Sequence, residues 1–105
     1  MSAMHHIYYL VDPNDSAVRY VGKTKTPKSR LRAHVQDARD GDNTAKKRWI
    51  RGLLAKGQEP VMIIVASFPE EHLARIRESA ECKAHLVTIY NLHDPAKGAK
   101  DLKKA

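Results

Sequence analysis

Cysteine is almost missing from this chain. Cys82 stands alone among 105 residues, so no internal disulfide can staple the fold and no thiolate cluster can hold zinc. Aromatic residues are also sparse. The six present are too few for a base-stacking platform of the single-strand-binding type. No apolar run approaches the roughly 20 residues that would cross a bilayer, and no helix pairs a strong basic face with large exposed apolar groups, which argues against a membrane-surface role. The opening MSAMHHIYYL lacks the basic segment, long apolar segment and small-residue cleavage site of a secretory signal. These absences lead us to expect a soluble, cytoplasmic domain with no membrane partner. Its core must come from the 42% of residues that are hydrophobic.

Acidic residues are the last shortage. Lys and Arg number 19 against 12 Asp and Glu, and the excess is uneven. Residues 1–52 carry eleven basic and five acidic groups, whereas residues 53–105 carry eight and seven. A basic half concentrates positive potential and attracts polyanions in a salt-dependent way, although many small proteins are basic for solubility alone.

What is present falls into six elements. HIYYLV (residues 6–11) is rich in β-formers, DPNDS supplies turn residues, and AVRYVG (17–22) reads as a second strand, making a hairpin. Alternation puts His6, Tyr8 and Leu10 on one face of the first strand, and Val18, Tyr20 and Gly22 share a face of the second. Tyr8 and Tyr20 become neighbours if the register brings those faces together. Thr26-Pro27 opens a helix with Leu31, Val35 and Ala38 as its apolar stripe, ending near Gly41. A second helix starts at Asn43 or Thr44. Trp49, Leu53 and Leu54 are expected to point inward, Lys46, Lys47, Arg48 and Arg51 largely outward, and Gly57 to stop it. VMIIVASF (61–68) is a continuous apolar run suited to a central strand covered on both faces. Pro69-Glu70-Glu71 then opens a third helix, with Leu73, Ile76, Ala80, Ala84 and Val87 as its expected buried stripe. The order β-β-α-α-β-α predicts an α+β domain with a small three-stranded sheet flanked by helices. We expect one domain over residues 1–94 and a basic, flexible tail over 95–105.

One stretch carries more than architecture. In RYVGKTKTPKSRLRAH (19–34), Arg30 follows Gly22 by eight residues, and His34 lies one helical turn beyond Arg30. Singly, each residue has an ordinary explanation: strand aromatics for Tyr8 and Tyr20, a solvated charge for Arg30, a packing residue for His34, a solvated face for Lys46, Lys47 and Arg48. Together, HIY (6–8), YVG (20–22), Arg30 and His34 resemble the GIY-YIG nuclease superfamily, and the element order agrees over roughly residues 5 to 94. His6 stands where the family most often has glycine. Asn43 stands where some homing-type members carry a further histidine.

The resemblance implies a three-stranded antiparallel sheet and a divalent-metal-dependent endonuclease that hydrolyses DNA phosphodiesters with one metal, Mg²⁺ or Mn²⁺. It implies Tyr8 as the group that activates or orients water, with Tyr20 and His34 completing the hydrogen-bond network and His34 a possible proton relay. Arg30 offers a permanent planar cation that can pair two phosphate oxygens. Gly22 would let the backbone approach the phosphate path, and Lys23, Lys46, Lys47, Arg48 and Arg51 are expected nucleic-acid contacts. The metal-binding glutamate is expected at Glu81, with Glu78 kept as the alternative. Spacing from Tyr90-Asn91, which resembles the family's terminal asparagine, favours Glu78. Helical phase favours Glu81, which lies about 100° from the centre of the expected apolar stripe against about 160° for Glu78. The leading expectation is a DNA endonuclease, acting on simple, structured or branched DNA, as a monomer or homodimer. The alternatives are a nucleic-acid-binding module that keeps the fold without turnover, and the same chemistry directed at RNA.

Overall fold

A computed structural model describes residues 4–40, 44–85 and 89. Positions 43, 87, 90 and 91 and the tail over 95–105 lie outside the described residues. The chain runs β1 (His5–Val11), β2 (Val18–Thr24), α1 (Pro27–Arg39), α2 (Ala45–Ala55), β3 (Val61–Phe68) and α3 (Glu71–Ala84). It is the expected α+β order, and the three strands form one antiparallel sheet in the order β2-β1-β3.

The hairpin turn is held by Asp12, one carboxylate oxygen of which accepts from the backbone N–H of Asn14 at 2.8 Å. Its other oxygen accepts from the Trp49 indole at 2.9 Å, so the turn is tied to α2. Proline begins α1 as expected. Thr44 caps α2 by accepting from the Lys47 N–H. Gly57, at φ +76, supplies the left-handed residue that ends α2.

Sheet order differs from the reading of the sequence. The central strand is β1, whose Ile7, Tyr8 and Leu10 are fully buried. β3 is an edge strand, and its Val61, Ile63 and Ile64 remain 43%, 44% and 43% exposed. An unbroken apolar run fits a two-sided burial but does not fix a strand's place in the sheet. Here β2 takes one side of β1 through the hairpin, and the passage through α1 and α2 returns β3 to the other. Each strand pairing contains one bulge, opposite Leu10/Val11 on β2 and opposite Ile7/Tyr8 on β3.

The two sheet faces carry different cores. Ile7 and Val21 pack with Ala74 of α3 and with Ile89, and Tyr9, Val65, Ala66, Phe68 and Cys82 surround them. Tyr8 and Leu10 point the opposite way, toward the side that carries α1 and α2. The buried residues of α1 are His34, Val35 and Ala38, and those of α2 are Ile50 and Leu53. Ile50, rather than Trp49, is the fully buried anchor of α2. Trp49 is half-buried because its indole is drawn to Asp12.

α3 is rotated from its expected phase. Leu73 and Ile76 are 37% and 65% exposed, and Ala74 is the helix's buried residue. The inner line passes instead through Ala74, Arg77, Glu78, Glu81 and Cys82.

Candidate functional site

Pairing of Tyr8 with Gly22 and of Leu10 with Tyr20 puts the two tyrosines on one face as diagonal neighbours, with ring centroids 6.2 Å apart. Gly22 makes this possible. A Cβ built there would overlap the Cζ and Oη atoms of the Tyr8 ring, which lies across the glycine. The glycine is therefore required by packing within the protein: the Tyr8 phenol occupies the space that a side chain would take.

α1 brings two residues to these phenols, because positions four apart lie on one flank of a helix. His34 is buried, 1% exposed, with its Nε2 2.7 Å from the Tyr8 Oη. Its ring stands edge-on to both tyrosines, at centroid distances of 5.9 and 5.1 Å. Arg30 is half-buried, and its positive charge acts on the phenols of both Tyr8 and Tyr20. From α2, Lys46 reaches the same cluster. Its Nζ lies 3.3 Å from His34 Nδ1 and 4.7 Å from the centre of the Tyr20 ring. Lys46 was expected to face outward, but it is half-buried and forms one wall of the cluster.

Burial dominates the electrostatics. It pushes the Tyr8 phenol up to about 12, with the Tyr20 phenol adding to the rise and Arg30 opposing it. Tyr20 is raised by burial too. His34 is driven down to about 3 by burial, assisted by the positive charges of Lys46 and Arg30. A histidine so depressed stays neutral throughout the physiological range. His34 meets the Tyr8 oxygen as a neutral, hydrogen-bonding imidazole.

The two glutamates separate clearly. The charge of Glu78 acts on both Tyr8 and Tyr20, and Glu78 makes no hydrogen bond or ion pair among the described residues. Glu81 accepts from the Tyr9 hydroxyl and from Arg77 Nε at 2.7 Å, with His85 Nε2 3.9 Å away. Tyr9 follows Tyr8 on β1 and therefore points to the opposite sheet face. Glu81 belongs to that second face. The preference for it by helical phase rested on an apolar stripe that is not the inner side of α3.

The basic residues also disperse. Lys23 pairs with Glu71 at 2.8 Å and sits opposite Ile7, on the face away from the phenols. Arg51 donates to the Ala38 carbonyl at 2.8 Å and satisfies the end of α1. Arg48 is exposed and Lys47 half-buried on α2.

No group of three or more His, Cys, Asp or Glu side chains with metal-binding spacing occurs among the described residues. A lone carboxylate beside a cationic guanidinium and two phenols nevertheless suits a hard divalent cation that keeps water and phosphate as its other ligands. Glu78 is the carboxylate whose charge reaches both phenols.

The family model of the GIY-YIG catalytic domain matches residues 4–90. The chain belongs to this family, which is made of endonucleases that are generally dependent on a divalent metal. No significant match to a curated protein or to a solved structure was found.

Proposed function

We propose that this protein is a divalent-metal-dependent DNA endonuclease, and that Tyr8, Tyr20, Arg30, His34 and Glu78 form its catalytic site. The observation that carries this reading is the convergence of Arg30 and His34 on the Tyr8 phenol, with the Glu78 charge beside it, in a chain of this family.

Hydrolysis requires a water oxygen to form a bond to phosphorus while the bond to one sugar oxygen breaks. Negative charge builds on the phosphoryl oxygens as this happens. Arg30 neutralises that charge, its planar guanidinium being suited to pairing phosphate oxygens. It stands beside Tyr8 and Tyr20 before substrate arrives. Tyr8 orients the attacking water and accepts its proton as a phenolate, having first released its own to solvent, and the departing sugar oxygen takes a proton from solvent water. With Tyr8 held at about 12 by burial and Tyr20, the resting phenol is neutral, and ionisation depends on added positive charge. A divalent cation held by Glu78, Mg²⁺ or Mn²⁺, would supply charge of that sign next to Tyr8 and the phosphoryl oxygens. His34, neutral, braces the Tyr8 oxygen. Lys47 and Arg48, on α2, are proposed contacts to the DNA backbone.

The test is nicking of supercoiled plasmid at low salt with Mg²⁺, Mn²⁺ or EDTA, comparing wild type with Arg30→Ala, Glu78→Ala and Glu81→Ala. Metal-dependent nicking lost in Arg30→Ala and Glu78→Ala but kept in Glu81→Ala is the expected result. Binding without cleavage under every metal, on plasmid, branched DNA and RNA alike, would overturn it in favour of a binding module.

A further inference from the structure

Lysine has donors only, whereas a neutral imidazole has one donor and one acceptor. This asymmetry makes the chain Lys46–His34–Tyr8 directional. Lys46 Nζ lies 3.3 Å from His34 Nδ1, and His34 Nε2 lies 2.7 Å from Tyr8 Oη. An ammonium facing Nδ1 can only donate to it, so Nδ1 must be the bare nitrogen and the ring proton must sit on Nε2. We propose that Lys46 is a positioning residue that holds His34 in its Nε2–H tautomer and so makes Tyr8 a hydrogen-bond acceptor from the imidazole.

The opposite tautomer would set an N–H against the ammonium. It would also turn the Tyr8 hydroxyl inward to donate to Nε2, spending on the protein's own histidine the proton that Tyr8 has to release. With His34 1% exposed, water offers little alternative partner to relieve either conflict. With the Nε2–H tautomer, Tyr8 Oη accepts from His34 beside the positive charge of Arg30. A donor and a cation are then already placed for the phenolate charge that would form on this oxygen, and the hydroxyl proton is left to point elsewhere. Placement of Lys46 over the Tyr20 ring at 4.7 Å fixes the ammonium from a second side. The depressed basicity of His34, to which Lys46 contributes, fits a ring that stays neutral in this role.

The functional meaning of this tautomer rests on the nuclease reading, but the tautomer itself does not. The test therefore has two readouts on the full chain. Long-range ¹H–¹⁵N correlation spectra of the His34 ring, without DNA, are expected to show a protonated Nε2 and a bare Nδ1 in wild type. Lys46→Met should lose that preference, giving a mixed or Nδ1–H ring, and Lys46→Arg should restore it. In the nicking assay Lys46→Met should fall by roughly 10- to 100-fold, a range usual for groups that orient a site's inner ligands, and Lys46→Arg should recover most of the rate.

A wild-type ring protonated on Nδ1 overturns the proposal without any variant being made. So does Lys46→Met that nicks poorly while its His34 spectrum is unchanged, since Lys46 would then act on the substrate instead. If wild type shows the Nε2–H ring and Lys46→Met loses it, but no metal supports nicking, the positioning role stands and the nuclease reading fails.

Discussion

Tyr8 and Tyr9 are adjacent on β1 and face opposite sides of the sheet, and both phenols are pushed up to about 12. The causes differ in kind. For Tyr8 they are burial and a second phenol, with Arg30 pulling the other way. For Tyr9 they are burial and a hydrogen bond to Glu81. The Tyr8 side gathers donors and positive charge around a phenol oxygen, with a carboxylate nearby but unbonded. The Tyr9 side is already neutralised: Glu81 holds the Tyr9 hydroxyl and Arg77, and His85 Nε2 lies 3.1 Å from the Tyr9 oxygen. On the function proposed above, one side receives an anion and a cation, while the other locks α3 to the sheet. Equal pKa values thus mark different roles, and the partners distinguish them.

The widest separation between the two sides should come from removing each hydroxyl. Tyr8→Phe deletes the group proposed to handle the attacking water, and nicking should fall by on the order of 100-fold or more. Its fold should persist, because Arg30 and His34 keep other partners. Tyr9→Phe should leave nicking within a few-fold of wild type and lower the unfolding free energy by about 2 kcal/mol, the usual net worth of a hydrogen bond to a charged group. Plasmid nicking and urea unfolding of both variants check the pair. Loss of cleavage in Tyr9→Phe with Tyr8→Phe active would reverse the assignment.

Acid should dismantle the two sides in sequence. His34 has its folded pKa lowered from 6.5 to about 3. Between these values the unfolded chain binds a proton that the folded chain refuses, so stability rises with pH across this window and falls on acidification. One proton corresponds to about 1.4 kcal/mol per pH unit, giving a loss of about 2 kcal/mol between pH 7 and 5. Glu81 is lowered from the ordinary carboxylate range by its bonds to Tyr9 and Arg77. Its contribution is present above the unfolded carboxylate pKa and is lost only as pH falls through the lower folded value. Urea unfolding at pH 7, 5 and 4 should therefore show an upper stage that disappears in His34→Gln. A lower stage should disappear in Glu81→Gln. A single stage untouched by His34→Gln would mean that the imidazole is not held neutral.

Much of this was legible in the sequence because it depended on local rules. Strand alternation, with the register, joined Tyr8 to Tyr20, the four-residue spacing joined Arg30 to His34, and Thr44 and Gly57 bounded α2. The failures came where one element meets another. Lys46 was assigned to solvent because it is charged, yet an imidazole acceptor and an aromatic face gave it partners inside. Arg51 was drawn to a helix end that sequence spacing does not reveal. β3 was placed centrally because hydrophobicity reports burial and not neighbours.

α3 is the most instructive of these failures, and it yields the smallest expected effect. Its apolar residues Leu73, Ile76 and Ala80 define a stripe about 120° from the face centred on Ala74. The sheet presents the Tyr9 hydroxyl to this helix, so a carboxylate finds a partner there and Arg77 pairs with it. Measured from Ala74, Glu78 lies about 40° to one side and Glu81 about 20° to the other, which sends one toward Tyr8 and Tyr20 and the other to Tyr9. Ile76, 65% exposed, is then a surface residue. Ile76→Glu should change the unfolding free energy by no more than about 0.5 kcal/mol and leave nicking unaltered. A loss of several kcal/mol would mean that α3 buries its apolar stripe after all. The same rotation would carry Glu78 away from the phenols and remove the geometric basis for preferring it to Glu81.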